Sequence, residues 1–204
     1  MREIRAFDFE IRADQNEEHG HYITGRPIVY NEATDLGWYR ETIADGALNE
    51  ADLRDVRFLV NHNTDMIPLA RSRNNNANST MQLSVVPGGG MDIRVDLDTE
   101  NNTEARSLYS AVERGDISGM SFMFSTEEDD WKDLDSDYPS RTILKIGKVF
   151  EVSAVTFPAY EATSIQARGL SDALEGAKTS LESAKADKRE IERRKQKIRI
   201  LTEV

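Results

Sequence analysis

Three polar side chains stand where their neighbours predict burial: Ser121, His62 and Glu151. A serine hydroxyl attacks a carbonyl only when a base takes its proton. Imidazole suits that task, because its unperturbed pKa near ~6.5 lets it accept and return a proton at neutral pH. Ser121 lies in Ile117-Ser118-Gly119-Met120-Ser121-Phe122-Met123-Phe124. With strand periodicity, Met120, Phe122 and Phe124 point one way, and Gly119, Ser121 and Met123 the other. The glycine beside Ser121 leaves room for another backbone. Ser118, the rival nucleophile, shares a face with the apolar residues and is expected to point into the core. Ser153 lies on the face of Glu151 but has no glycine neighbour to open space around it.

The supply of bases is short. The chain has three histidines, His19, His21 and His62, and no cysteine, which excludes thiol nucleophiles, thiolate metal sites and disulfides. His19 falls in a polar loop and His21 at the start of a strand. His62 closes the strand Val56-Arg57-Phe58-Leu59-Val60, whose residues read as buried, so a rigid element would hold its ring. A histidine at a strand end serves a purely structural part equally well. Glu151 is the strongest anomaly, a carboxylate in the middle of a strand apolar on both faces. Left unpaired there it costs several kcal/mol. Either a histidine that charges during a reaction satisfies it, fixing the ring tautomer in return, or a salt bridge to Arg141 or Arg71 does. Both readings stand on the residues alone.

Other chemistries find little support. No phosphate-binding glycine loop or dinucleotide fingerprint occurs. Asp92, Asp96, Asp98 and Glu100 cluster without the spacing of a calcium loop. Neither a metal nor a cofactor is expected. The net charge of -11 argues against general nucleic-acid binding. Hydrophobic residues make up 38% of the 204 and charged residues 31%, the balance of a soluble globular domain with a solvated extension. No apolar run of signal-peptide or membrane-spanning length occurs, so a cytoplasmic protein is expected.

The elements that must position these residues are mostly strands. Residues 3–11 and His21 to Tyr30 read as the first two, and Trp38 to Ile43 and Val56 to Val60 follow. Asp45 to Arg54, with Leu48 and Leu53 among polar residues, reads as a short helix. Ile67 to Arg71 is extended, and Asn74 to Ser79 is expected to be a mobile loop or hairpin tip. Thr80 to Val86 and Met91 to Leu97 flank Pro87-Gly88-Gly89-Gly90, a hairpin signature. The spacing of Ala105, Leu108, Tyr109 and Val112 predicts a helix over 102–114, capped by Asn101 with Glu104 and stopped by Gly115. The acidic run 127–137 reads as a solvated loop. Arg141 to Phe157 is the most strand-like stretch of all.

From about Leu170 the pattern changes. Leu174, Ala177, Leu181, Ala184, Ile191 and Ile198 recur in steps of three and four, with Lys188 and Lys195 at the missing positions. This predicts a heptad-like helix with a weakened seam. The tail is weakly basic and the preceding residues carry the acidic surplus, which places a boundary near 168–172 between a domain over 1–168 and a helical, coiled-coil-like tail over 169–204.

Taken in order, five motifs resemble the prohead (capsid maturation) proteases of tailed bacteriophages, related in fold to the herpesvirus assemblins. They are Gly37-Trp38-Tyr39-Arg40-Glu41 with Asp45-Gly46-Ala47-Leu48; Leu59-Val60-Asn61-His62-Asn63; Leu69-Ala70-Arg71; Arg114 to Phe122; and Phe150 to Tyr160. The resemblance covers roughly residues 20–168. It implies a serine endopeptidase with nucleophile Ser121, base His62 and third member Glu151, where the herpesvirus enzymes carry a second histidine. A carboxylate can orient the base as well. The herpesvirus enzymes also have an arginine-containing loop after the third triad strand that helps form the oxyanion hole. Here that place reads Phe157-Pro158-Ala159-Tyr160-Glu161, and Arg168 is distant from it.

The expected fold is therefore mainly β with flanking helices (α+β), a herpesvirus-protease-like barrel followed by a mobile C-terminal helix. By the resemblance, the substrates are the phage major capsid protein and the scaffold, cleaved inside the assembling prohead in the host cytoplasm. The tail suits docking to scaffold, self-association, or a propeptide removed by autocleavage. No membrane and no specific nucleic acid is expected as a partner. The competing reading is a non-catalytic assembly module, a β domain with a coiled-coil arm; an esterase using the same triad is a third.

Overall fold

The computed structural model describes residues 2–7, 11–17, 20–156 and 167–202, with side chains between 175 and 199 in the last segment. Its core lies between two sheets. A seven-stranded sheet runs β1 (Glu3–Phe7), β10 (Gly119–Lys132), β11 (Ser140–Val155), β5 (Arg40–Ile43), β4 (Ala33–Asp35), and β6 (Val56–Val60) also pairs with β11 and carries β7 (Ala70–Ser72). A four-stranded sheet has the order β2 (Ile11–Asn16), β3 (Gly20–Val29), β9 (Gly90–Leu97), β8 (Met81–Val86). Ile23, Ile28, Met91 and Val95 from the smaller sheet meet Phe58, Phe122, Phe124 and Val152 from the larger in one buried cluster. Among the described residues no closed barrel is found, so the mainly β architecture stands and the barrel that the resemblance implies is unconfirmed.

β11 is the hub. It pairs antiparallel with β10 along most of its length and parallel with β5 near its start and β6 near its end. Its first half still alternates, with Leu144 exposed, but from Glu151 to Val155 it is buried on both faces, which explains the apolar run there. α1 (Thr103–Glu113) buries Ala105, Leu108 and Val112 and ends at Gly115, whose φ of +78° favours glycine. Its cap is Asn102, not Asn101: the Asn102 side chain accepts from the Glu104 and Ala105 amides, while Asn101 turns back to Asp98. In the β8–β9 hairpin, Gly90 has a φ of +123°, and a Cβ there would lie 1.9 Å from the Ile28 carbonyl oxygen. Only glycine fits.

Two expectations fail for physical reasons. Asp45 to Arg54 forms successive turns, not a helix. Gly46 takes a φ of +82°, and the segment then lies beside β11, where Asp52 donates to the Gly147 carbonyl and its own carbonyl accepts from Val149. The acidic run is not a loop through Lys132. β10 continues through it because bases on β11 lie alongside: Lys145 sits opposite Glu128, and Arg141 donates to Asp129 at 2.6 Å. Asn74 to Ser79 is an exposed loop between β7 and β8, as expected, and the Asn75 side-chain amide both donates to and accepts from the Leu83 backbone, at 2.7 and 3.0 Å, in imitation of a strand partner.

The heptad pattern of the tail becomes α2 (Ala167–Thr202), a helix of 36 residues. Its seam is used unevenly. Ala177 and Leu181 are buried against Tyr39 and Trp131, whereas Ile191 and Ile198 are 53% and 62% exposed. Ser180 adds polar anchors, donating to Asp129 at 2.8 Å and accepting from the Trp131 indole at 3.0 Å. No helix among the described residues is long and apolar enough to cross a membrane.

Candidate active site

The end of β6 lies against the end of β11, and the chain turns sharply there. Asn61 and His62 take φ angles of 51° and 56° in succession. Left-handed conformations are sparsely populated by residues with a Cβ, although asparagine and histidine tolerate them better than most. Bonds to β11 and the residue after it hold this turn. The Asn61 amide N–H donates to the Ala154 carbonyl at 2.9 Å, its side chain exchanges hydrogen bonds with Thr156, and the His62 N–H donates to the Ser153 hydroxyl at 3.1 Å.

The turn presents the His62 ring to Glu151. Nδ1 lies 2.6 Å from Glu151 Oε1, and the other carboxylate oxygen accepts from the Ser153 hydroxyl at 2.5 Å. The Glu151 side chain is 4% exposed and that of His62 17%, so the acid is sealed and the ring keeps a solvent edge. With Nδ1 held by the carboxylate as a donor, Nε2 is left as the acceptor. Among the described residues Nε2 has no hydrogen-bond partner. The arginine partners considered for Glu151 are engaged elsewhere, Arg71 with Asp55 and Arg141 with Glu3, Glu41 and Asp129.

Ser121 lies in the same row. In the β10–β11 register it is opposite Ser153, and two pairs further along Met123 is opposite Glu151. Cross-strand partners share a face, so Ser121, Ser153 and Glu151 all project from one side of the sheet. The Ser121 hydroxyl is fully buried and donates to the Arg5 carbonyl of β1 at 2.8 Å, not to His62. β1 therefore covers the nucleophile candidate in this conformation. Ser118 reverses its expectation: it precedes β10 and is exposed, because the strand begins only at Gly119.

The remaining candidates have other tasks. His21 Nδ1 lies 2.7 Å from the Thr99 hydroxyl, and its ring packs edge-on against Tyr109. His19, residues 157–166 and the Arg168 side chain lie outside the described residues. The carboxylates of the Asp92 cluster are dispersed: Asp92 pairs with Arg26, Asp96 with Arg94 at 3.2 Å, and Asp98 accepts from Asn101. Ser153 is the residue that sequence reasoning undervalued. It was legible as a polar residue two places after Glu151 and hence on its face, but its part depends on a turn that periodicity does not reveal.

A shallow cleft of about 530 Å³ adjoins the turn, lined by Val60, Asn61, Met66, Leu108 and Ile117 among others. It is open to solvent beside the segment that carries the imidazole.

No curated protein and no solved structure matches the chain. A family model described as Caudovirus prohead serine protease matches residues 7–175, a span that takes in all three strands of the candidate site and most of the chain. By that match the chain belongs to the prohead serine proteases of tailed phages, a family of capsid-maturation serine peptidases.

Proposed function

We propose that the chain is a serine endopeptidase that cleaves capsid and scaffold proteins inside the immature prohead, with Ser121 as nucleophile, His62 as general base and Glu151 as the acid that orients the base. The observation that carries this reading is the pairing of Glu151. A sealed carboxylate is normally matched by a permanent cation, yet the partner here is an imidazole that is charged only while it holds a second proton. That arrangement suits a transient imidazolium. Ser121 Oγ attacks the scissile carbonyl as its proton passes to His62 Nε2. The amine then leaves with that proton, and water, deprotonated in turn by His62, releases the acyl group from Ser121.

The Ser121–Arg5 hydrogen bond makes the described conformation a closed one. In this reading the Ser121 hydroxyl gives up the Arg5 carbonyl for His62 when substrate arrives. The cleft beside the His62 turn offers an apolar wall for a substrate side chain. In this reading the protein acts within the host cell in the assembling prohead, and α2 presents the exposed Ile191 and Ile198 of its second half to a scaffold or to a further copy.

A fluorophosphonate probe tests the assignment without knowledge of the cleavage site, because it reacts only with an activated serine. The expected result is one labelled residue, Ser121, and no labelling of Ser121→Ala. Undiminished labelling of that variant sinks the assignment. Co-expression with the capsid and scaffold proteins, read by mass spectrometry, should show processing that Ser121→Ala lacks. The same spectra report whether the C-terminus of the protease is itself removed. A wild-type protein that leaves both partners and itself intact would favour the non-catalytic assembly module.

A further inference from the structure

The Ser153 hydroxyl has a single proton and commits it to Glu151 Oε2 at 2.5 Å. Its lone pair is taken by the His62 backbone N–H at 3.1 Å. One fully buried side chain thus touches the acid directly and the base through its backbone. The His62 turn needs such a hold, because two successive left-handed residues return to extended backbone unless their neighbours fix them. The other backbone holds, Asn61 on Ala154 and on Thr156, fix the preceding residue and not the histidine itself. Ser153 is also the cross-strand partner of Ser121 and the parallel partner of Leu59, so it sits between the strand of the nucleophile and the strand of the base.

We propose that Ser153 is a positioning residue for this peptidase: it locks the Glu151 carboxylate and the His62 turn into one register, so that acid and base move as a unit. This rests on the reading of His62 and Glu151 as the working pair. With its proton on the carboxylate, Ser153 is not a nucleophile. Its donation also draws negative charge away from the oxygen that faces His62, which tempers how tightly that carboxylate holds a charged ring.

Two effects follow for Ser153→Ala. The turn and the carboxylate lose their common anchor, and labelling of Ser121 by a fluorophosphonate at pH 7 should slow roughly 10- to 100-fold, the range for a lost hydrogen bond to a charged group. The carboxylate, no longer tempered, should hold the imidazolium longer, so the acid limb of the labelling profile should move to higher pH. A role in packing alone would lower the melting temperature without moving that limb. Ser153→Thr keeps the hydroxyl and should bring the limb back to its wild-type position. Should Ser153→Ala fail to fold, Ser153→Cys fills the site with a weak donor, and its labelling rate should fall below that of the wild type with the same displacement of the limb.

Wild-type rate and profile in the folded Ala or Cys variant overturn the proposal. Two controls separate that failure from failure of the underlying reading. If Ser121→Ala is still labelled, or Glu151→Gln is labelled at the wild-type rate, the triad itself is wrong. If both behave as expected while Ser153→Ala is indistinguishable from the wild type, only the part given to Ser153 falls.

Discussion

β11 carries two buried clusters of acids and bases, one near each end, and they are built on opposite principles. Near its start, Arg141 donates to Glu3 at 2.5 Å and to Glu41 at 2.9 Å, and Arg5 donates to the same two carboxylates, with Tyr39, Thr126 and Asp129 around them. These four charged side chains are each at most 4% exposed. Two guanidiniums meet two carboxylates, and the outer acid Asp129 leads on to α2. Near its end, Glu151 bonds His62 and Ser153 and, among the described residues, no permanent cation. The first cluster holds its charge at any physiological pH. The second holds a charge that can come and go. A guanidinium stays protonated and fits a carboxylate with two parallel donors, which suits a structural joint, whereas an imidazole suits chemistry for the reason that makes it a poorer joint.

The sharpest way to break this contrast is to remove the chemistry and leave the joint. Ser121→Ala should lower peptidase activity on the order of a million-fold, with the circular dichroism melt close to that of the wild type. A large fall in melting temperature would mean that the hydroxyl bond to Arg5 matters mainly for stability. Glu151→Gln should cost roughly 10²- to 10⁴-fold in kcat, since an amide can hold the ring in the wrong tautomer. Equal activity would make Glu151 a structural acid like Glu3.

The converse experiment removes the joint. Arg141→Met leaves Glu3 and Glu41 short of a cation and should destabilise the fold by about 3–5 kcal/mol, read by denaturant titration. Loss of activity should track loss of folded protein. Acid should do the same more gently. Burial alone would raise the pKa of Glu3, but Arg141 and Arg5 beside it more than reverse that and hold it at about 2 against an ordinary 4.5. Because the folded value is depressed, the stability it contributes is complete above pH 4.5 and is lost as pH falls from there toward 2. The loss is about 3 kcal/mol, and Glu3→Gln should flatten that part of a stability-against-pH curve. The smallest effect is expected at the edge of the joint. Ser180→Ala removes the link from α2 to Asp129 and Trp131 and should cost about 1 kcal/mol, seen as earlier protease nicking of α2.

The sequence makes the site more legible than its closure. Period 2 puts Ser121 opposite the Met120–Phe122–Phe124 face, and those three residues are fully buried. Glu151 stands out because it is a carboxylate inside a run that is otherwise apolar on both faces. What period 2 does not carry is the turn at Asn61–His62, which two φ angles decide, and with it the use of Ser153. Nor does it reveal that β1 lies beside Ser121, a pairing between segments far apart in the chain with no local signal. Glu3 and Arg5, two residues apart on one strand face, do mark the structural joint, but their partners Glu41 and Arg141 are fixed only by the sheet order. The acidic run misleads because a row of like charges reads as repulsive until the bases across the strand are counted.

The pairing of β1 with β10 also sets a timetable. Arg5 and Ser121 are separated by 116 positions, Glu3 and Arg141 by 138, and His62 and Glu151 by 89. Contacts this distant in sequence form slowly, and on a ribosome none of them exists until β10 or β11 has emerged. His62 is made well before Ser121, and Glu151 follows Ser121 by 30 positions, so the three meet only once β11 pairs with β6 and β10. The strand whose carbonyl accepts from the Ser121 hydroxyl is thus made long before the strand that carries Glu151.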